Sequence, residues 1–370
     1  MKSWQAVGGG SWSSLRLLIP PHSPGYVQMI QKWIHAREIA CSQKDTNRRV
    51  LPFEWGLEWI DGNNFSLSLS PREYLRAYAA KILNHSNPFY TPSPVKEYVL
   101  QGNELTFPSP IQTPDKVNNT VYARFFPVNS RGKAVIVIPQ WNADSESHVG
   151  LCRLLNYFGL TALRLTLPYH EKRKPAHLQR ADYLVSPNIG RTIQACRQAV
   201  LEVRLAANWL EQQGYSYLGV TGTSIGSCIA FLAFSHDARL RVGAFNHVSS
   251  YFADVVWTGI TTQHVRKGLE GYVSLPELRT FWSVISPLPF VHKLQGLSKA
   301  GLLISARYDL TFLPYLAQQL FEEYHRLGIP HDKFFLPCGH YTSGAFPFKY
   351  LDGWIIARYL RKNLIALTKC

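Results

Sequence analysis

Residues 215–226 read Tyr215-Ser216-Tyr217-Leu218-Gly219-Val220-Thr221-Gly222-Thr223-Ser224-Ile225-Gly226, and this stretch decides the fold. The run through Val220 predicts a strand (215–220), and the segment 225–234 predicts a helix with Ile225, Ile229, Ala230 and Leu232 in the core. Between them stands G-x-S-x-G with Ser224 at its centre. Gly222 and Gly226 lack a Cβ, so the chain can turn sharply and the helix can lie close to the strand. Ser224 is expected in a strained backbone with its Oγ above the sheet edge. Helix N–H groups beneath it suit an oxyanion. Such a pattern arises by chance in roughly one chain of this length in ten, so its surroundings must carry the reading.

Working outward, strands and helices alternate. Lys133 to Pro139 is a continuous apolar, β-branched run, as expected of a strand buried on both faces of a parallel sheet. A helix (147–158), a strand (161–167) and a long helix (190–213) separate it from the serine turn. In the long helix, Ile193, Cys196, Val200, Val203, Ala207 and Leu210 recur at three- and four-residue steps. Beyond the turn come strand 241–247, an irregular insertion (250–297), strand 300–305, helix 312–327, strand 333–336 and a last helix from Phe348. Segments 98–107 and 119–128 also read as strands. The predicted class is α/β: a mostly parallel central sheet with helices on both faces and its ligand site at the carboxyl ends of the strands.

Two further side chains fall at such ends. Asp309 follows strand 300–305 and His340 follows strand 333–336. A serine hydroxyl is a poor nucleophile at neutral pH unless a base takes its proton, and a carboxylate behind an imidazole fixes the tautomer. Ser224, Asp309 and His340 in that chain order are far more specific than the turn alone. Asp254, after the preceding strand, competes for the acid position, with Asp309 preferred. Cys228 and Cys338 are read as packing residues rather than nucleophiles.

On Gly222-Thr223-Ser224-Ile225-Gly226, Asp309 and His340, the chain over residues 95–370 resembles the α/β-hydrolase superfamily, nearest the dienelactone-hydrolase-like and abhydrolase-domain serine hydrolases. The resemblance implies Ser224 as nucleophile, His340 as general base and then acid, and Asp309 as the orienting acid. It implies oxyanion donors at the backbone N–H of Ile225 and of Trp141 or Gln140. Here Pro139-Gln140-Trp141-Asn142 stands where many relatives carry a His-Gly pair or a glycine run. The insertion at 250–297 stands where relatives place a lid. Trp141, Tyr169, Trp257 and Tyr308 are expected to line the substrate site. The activity implied is cleavage of a carboxylic ester through an acyl-enzyme, with no cofactor and no metal. A non-catalytic binding or scaffold protein and an acyltransferase using the same three residues remain open.

Composition agrees with a folded enzyme. Of 370 residues, 46% are hydrophobic and 17% charged, which excludes a disordered chain. The net charge of +15 is spread along the chain, with no basic run longer than Lys172-Arg173-Lys174, so dedicated nucleic-acid binding is not expected. That short run is read as a solvated loop in preference to an anion-attracting one. Six cysteines without a C-x-x-C pair read as reduced, largely buried thiols. The uncharged stretch between Glu211 and Asp237 changes periodicity midway and is not read as a membrane span. The chain is expected to be soluble and cytoplasmic.

The domain reading is an N-terminal helical extension (1–95) ahead of the α/β domain (96–370). In the extension, 24–40 is a predicted helix. Ser70-Pro71-Arg72-Glu73 opens another with a capping box, and 88–94 reads as a linker. The extension is expected to brace the sheet or cover the cleft.

Overall fold

The computed structural model describes residues 24–61, 69–129 and 132–368. Nine strands form one sheet: β1 (Val99–Gln101), β2 (Glu104–Pro108), β3 (Thr120–Phe126), β4 (Lys133–Ile138), β5 (Thr161–Leu165), β6 (Tyr217–Thr223), β7 (Leu240–Asn246), β8 (Ala300–Ala306) and β9 (Asp332–Leu336). They stand in the order β1-β2-β3-β5-β4-β6-β7-β8-β9. The first three strands and the β3–β5 pair are antiparallel, and every pairing from β5 to β9 is parallel.

The apolar run in β4 does what its composition implies. Ala134, Ile136 and Ile138 join the core on one face, while Val135 and Val137 join the core on the other. Helices Ile189–Gln212 and Ile225–His236 cover the first face, and Val149–Tyr157 and Phe348–Ala366 the second. Alternation along a strand therefore fills two separate cores at once. The apolar stretch 211–237 divides between β6 and the buried helix behind it. Among the described residues no helix is long and apolar enough to cross a membrane.

Three expectations are corrected. Segment 98–107 is not one strand but a hairpin, because Gly102 takes a φ of 57° and turns the chain between β1 and β2. The stretch 88–94 is not all linker: Ser86–Tyr90 is a short helix that buries Phe89 and Tyr90. Lys172-Arg173-Lys174 is only in part a solvated stretch, with Lys172 exposed and Arg173 not. Arg173 is fully buried and forks onto Glu202 at 2.6 and 2.7 Å, while Lys172 pairs with Glu104.

The insertion folds into helices Phe252–Thr258, Gln263–Leu269 and Leu275–Phe281 with 3₁₀ turns after them. Phe281, Trp282 and Phe290 are fully buried in the main core, whereas Tyr272 is exposed and stacks on Phe53. N-terminal to the sheet, helix Pro24–Gln43 and helix Pro71–Asn84 form as predicted. The second carries the reciprocal Ser70–Glu73 capping box. Cys152, Cys196, Cys228 and Cys338 are buried free thiols and Cys41 is half-buried; Cys370 lies outside the described residues.

Candidate active site

β6 delivers Ser224 with φ 59° and ψ −124°, a backbone state that costs a non-glycine residue on the order of 1–3 kcal/mol. The two flanking glycines make it possible. A Cβ on Gly222 would fall 2.0 Å from the carbonyl oxygen of Gly226, and one on Gly226 would fall 2.4 Å from the carbonyls of both Ile138 and Pro139. The first turn of helix Ile225–His236 is thereby pressed against the end of β4. Ser224 donates its own N–H to the Asn246 carbonyl at the end of β7.

β8 and β9 deliver the other two side chains. His340 Nδ1 meets Asp309 Oδ2 at 2.9 Å, and the imidazole stacks on Phe312. Asp309 is fully satisfied: its Oδ1 accepts the backbone N–H of Thr311 and Phe312, both at 2.7 Å. Its Oδ2 accepts a second histidine, His247 Nδ1, at 2.8 Å. Burial opposes ionisation of this carboxyl, but the charge of His340 and the hydrogen bonds from both histidines hold it well below the usual carboxylate range. For His340, burial alone would lower the pKa, yet the Asp309 carboxylate and the charge of Glu38 raise it overall. Asp254 gives both oxygens to Arg279, at 2.9 and 2.5 Å, so the structure puts Asp309 and not Asp254 behind His340.

His247 was not singled out from the sequence. It directly follows β7, the same position relative to its strand that drew attention to Asp309 and His340. Its ring lies 4.5 Å from that of His340, and its Nε2 meets Ser343 Oγ. His247, Asp309 and His340 bring three potential metal ligands within 4.8 Å of one another. Ligands on a tetrahedral zinc stand about 3.3 Å apart. Separations of 2.8 and 2.9 Å around one carboxylate oxygen fit two N–H donors instead.

The loop after β4 is fixed by residues far away in sequence. His170 donates Nδ1–H to the Pro168 carbonyl and accepts the Asn142 N–H on Nε2, both at 2.8 Å. Burial and then nearby Arg173 and Arg164 push its pKa down to about 4, so the ring stays neutral and able to accept. Asn142 (φ 59°) accepts the Ala181 N–H, and the Trp141 indole donates to the Ala181 carbonyl. Among the described residues no acceptor meets the backbone N–H of Trp141 or of Ile225. Gln140 holds the turn through its carbonyl, which accepts from Ala143.

The expected substrate-lining residues are dispersed. The Trp141 ring is packed between His264 (5.8 Å, nearly parallel) and the Arg180 guanidinium. Tyr308, next to Asp309, meets the ring of His35 from the N-terminal helix. Trp257 is half-buried under Arg266. Tyr169 is completely buried against Tyr183. A cavity of about 1010 Å³ lies to the side of these groups. It is lined among others by Arg124, Asp144, Arg164, Glu171, Lys172 and Arg180, and meets the loop after β4 from Asn142 to Glu146.

Residues 150–264 match the family described as alpha/beta hydrolase domain containing 18. No protein with a curated description matches the chain by sequence. Among solved structures it is similar to the acylaminoacyl peptidase of Pyrococcus horikoshii (12% identity, TM-score 0.55), over 71% of this chain and 41% of that one. The chain therefore spans about two fifths of that peptidase's length. It is similar to acetyl xylan esterase 1 of Thermoanaerobacterium sp. JW/SL YS485 (12% identity, TM-score 0.54) over 81% of this chain and 99% of that one. The acetyl xylan esterase of Paenibacillus sp. R4 (11% identity, TM-score 0.52) aligns over 82% and 98%. Strand order, the glycine-flanked serine turn and these likenesses agree: the chain has the α/β-hydrolase fold.

Proposed function

We propose that the protein is a serine hydrolase that cleaves a carboxylic ester through an acyl-enzyme on Ser224. The observation that carries this reading is the hydrogen bond of His340 Nδ1 to a fully satisfied, ionised Asp309, at the sheet edge where Ser224 stands on its strained turn. With Nδ1–H committed to Asp309, the free lone pair of the neutral imidazole is on Nε2, which accepts the Ser224 hydroxyl proton as Oγ attacks the ester carbonyl. The negative oxygen that develops is met by the N–H groups of Ile225 and Trp141, which have no other acceptor among the described residues. His340 then gives its proton to the departing alcohol. Water repeats the sequence on the acyl-enzyme, releasing the acid and restoring Ser224.

Solved neighbours that are named esterases and peptidases support a hydrolase in general. Short p-nitrophenyl esters test it. Turnover in the wild type that disappears in Ser224→Ala, with an unchanged melting curve, is the expected result. A folded wild type with no turnover on acetyl, butyryl or octanoyl esters would favour the binding-protein alternative.

A further inference from the structure

Helix Pro24–Gln43 buries a single stripe at four-residue steps, Ile34, Glu38 and Ser42. The middle member is a carboxylate that is completely buried, and among the described residues no lysine or arginine pairs with it. An apolar side chain would fill that position without electrostatic cost, whereas a buried charge needs compensation. The compensation comes from the loop that carries His340. Glu38 Oε2 accepts the N–H of Tyr341 at 2.9 Å and Oε1 accepts the N–H of Thr342 at 2.8 Å.

Within that loop, Gly339 donates to Thr342 Oγ1, and Ser343 donates its N–H to Gly339 and its hydroxyl to the His340 carbonyl. The N–H groups of Tyr341 and Thr342 have no partner inside the turn, and Glu38 takes both. Contact is close: a Cβ on Gly339 would fall 2.3 Å from Glu38 Cδ. The same N-terminal segment ties the loop again through Arg48, which donates to the Tyr341 hydroxyl at 2.7 Å.

We infer that Glu38 is a positioning residue for His340: by gripping the backbone on the C-terminal side of the histidine, the N-terminal helix holds the ring in its orientation toward Asp309. The inference rests on the triad reading above. It turns the N-terminal extension from a passive cover into part of the machinery that sets the base. Around the His340 ring stand Asp309, His247, Glu38 and Tyr341, with Phe312 stacked on one face. Of these, Asp309 and Glu38 supply the negative charge that favours the imidazolium.

The test uses the full chain with histidine labelled in ¹⁵N, so that the ring of His340 is titrated directly, beside the rate at which a fluorophosphonate labels Ser224. Glu38→Gln keeps the shape and one acceptor but removes the charge. It is expected to move the His340 midpoint to lower pH and slow labelling several-fold at pH 8. Glu38→Ala frees both N–H groups and is expected to slow labelling by tenfold or more. A His340 midpoint and labelling rate equal to wild type in Glu38→Gln would overturn the inference, and so would a loss confined to unfolded Glu38→Ala. If the wild type does not label at all, the hydrolase reading fails, and the titration arm still decides whether Glu38 sets the histidine.

Discussion

Gly226→Ala is the substitution whose consequence the geometry specifies most closely. The added methyl would lie 2.4 Å from two carbonyl oxygens at the end of β4, whereas ordinary contact begins near 3.4 Å. Helix Ile225–His236 must therefore retreat by about 1 Å, the 3.4 − 2.4 difference. Backbone carbonyls held in a sheet cannot yield as a side chain would. Overpacking of this kind costs about 1–3 kcal/mol, which at about 2–4 °C per kcal/mol lowers the melting temperature by roughly 2–12 °C. The Ser224 N–H to Asn246 bond and the Ile225 N–H move with the helix. A misplacement of about 1 Å is expected to slow acylation by about a hundredfold. The assay is a melting curve beside the fluorophosphonate labelling rate, with Gly150→Ala as comparison. Nothing lies within 4 Å of a Cβ at Gly150, inside helix Val149–Tyr157, so that change should be neutral or stabilising by up to about 1 kcal/mol. A Gly226→Ala protein that melts and labels like wild type would refute the reasoning.

Three further outcomes are expected. Asp309→Asn presents an amide NH₂ to two ring N–H donors and should cut the labelling rate by about 10³–10⁴; Asp254→Asn, which disturbs only the Arg279 pair, should leave the rate near wild type. Because Asp309 and Glu38 raise the His340 pKa, labelling should fall as pH drops through a midpoint above the ordinary histidine value, since the imidazolium cannot accept the serine proton; a profile flat from pH 5 to 8 contradicts this. Arg173→Met strands the buried Glu202 carboxylate and should cost about 3–5 kcal/mol in urea unfolding, with most of it recovered on adding Glu202→Leu.

The architecture was legible because its signals are local. Periodicity in 190–213, the β-branched run in β4 and the glycines at 222 and 226 act through neighbours in sequence, and the structure places each of those elements within a few residues of expectation. Asp309 and His340 were legible because strand ends in a parallel sheet converge. His247 sits at such an end too, but a histidine there has no pattern to mark it. What stayed hidden is long-range polar pairing. Arg173 looks like a solvated base until Glu202, on the long helix, is brought beneath it. Glu38 looks like one more charge on a surface helix until the His340 loop closes over it. Tyr169 follows a strand near the site, yet a φ of 63° at that residue accompanies a ring turned into the core.

The central claim is that His340, held by Asp309, activates Ser224. Its most direct measurement is mass spectrometry of the full chain after fluorophosphonate treatment, wild type against His340→Ala. The account predicts a single adduct on the peptide carrying Ser224, forming at least a thousandfold more slowly in the variant. A folded wild type that acquires no adduct, or acquires it on another residue, or a His340→Ala protein that labels at the wild-type rate, would contradict it.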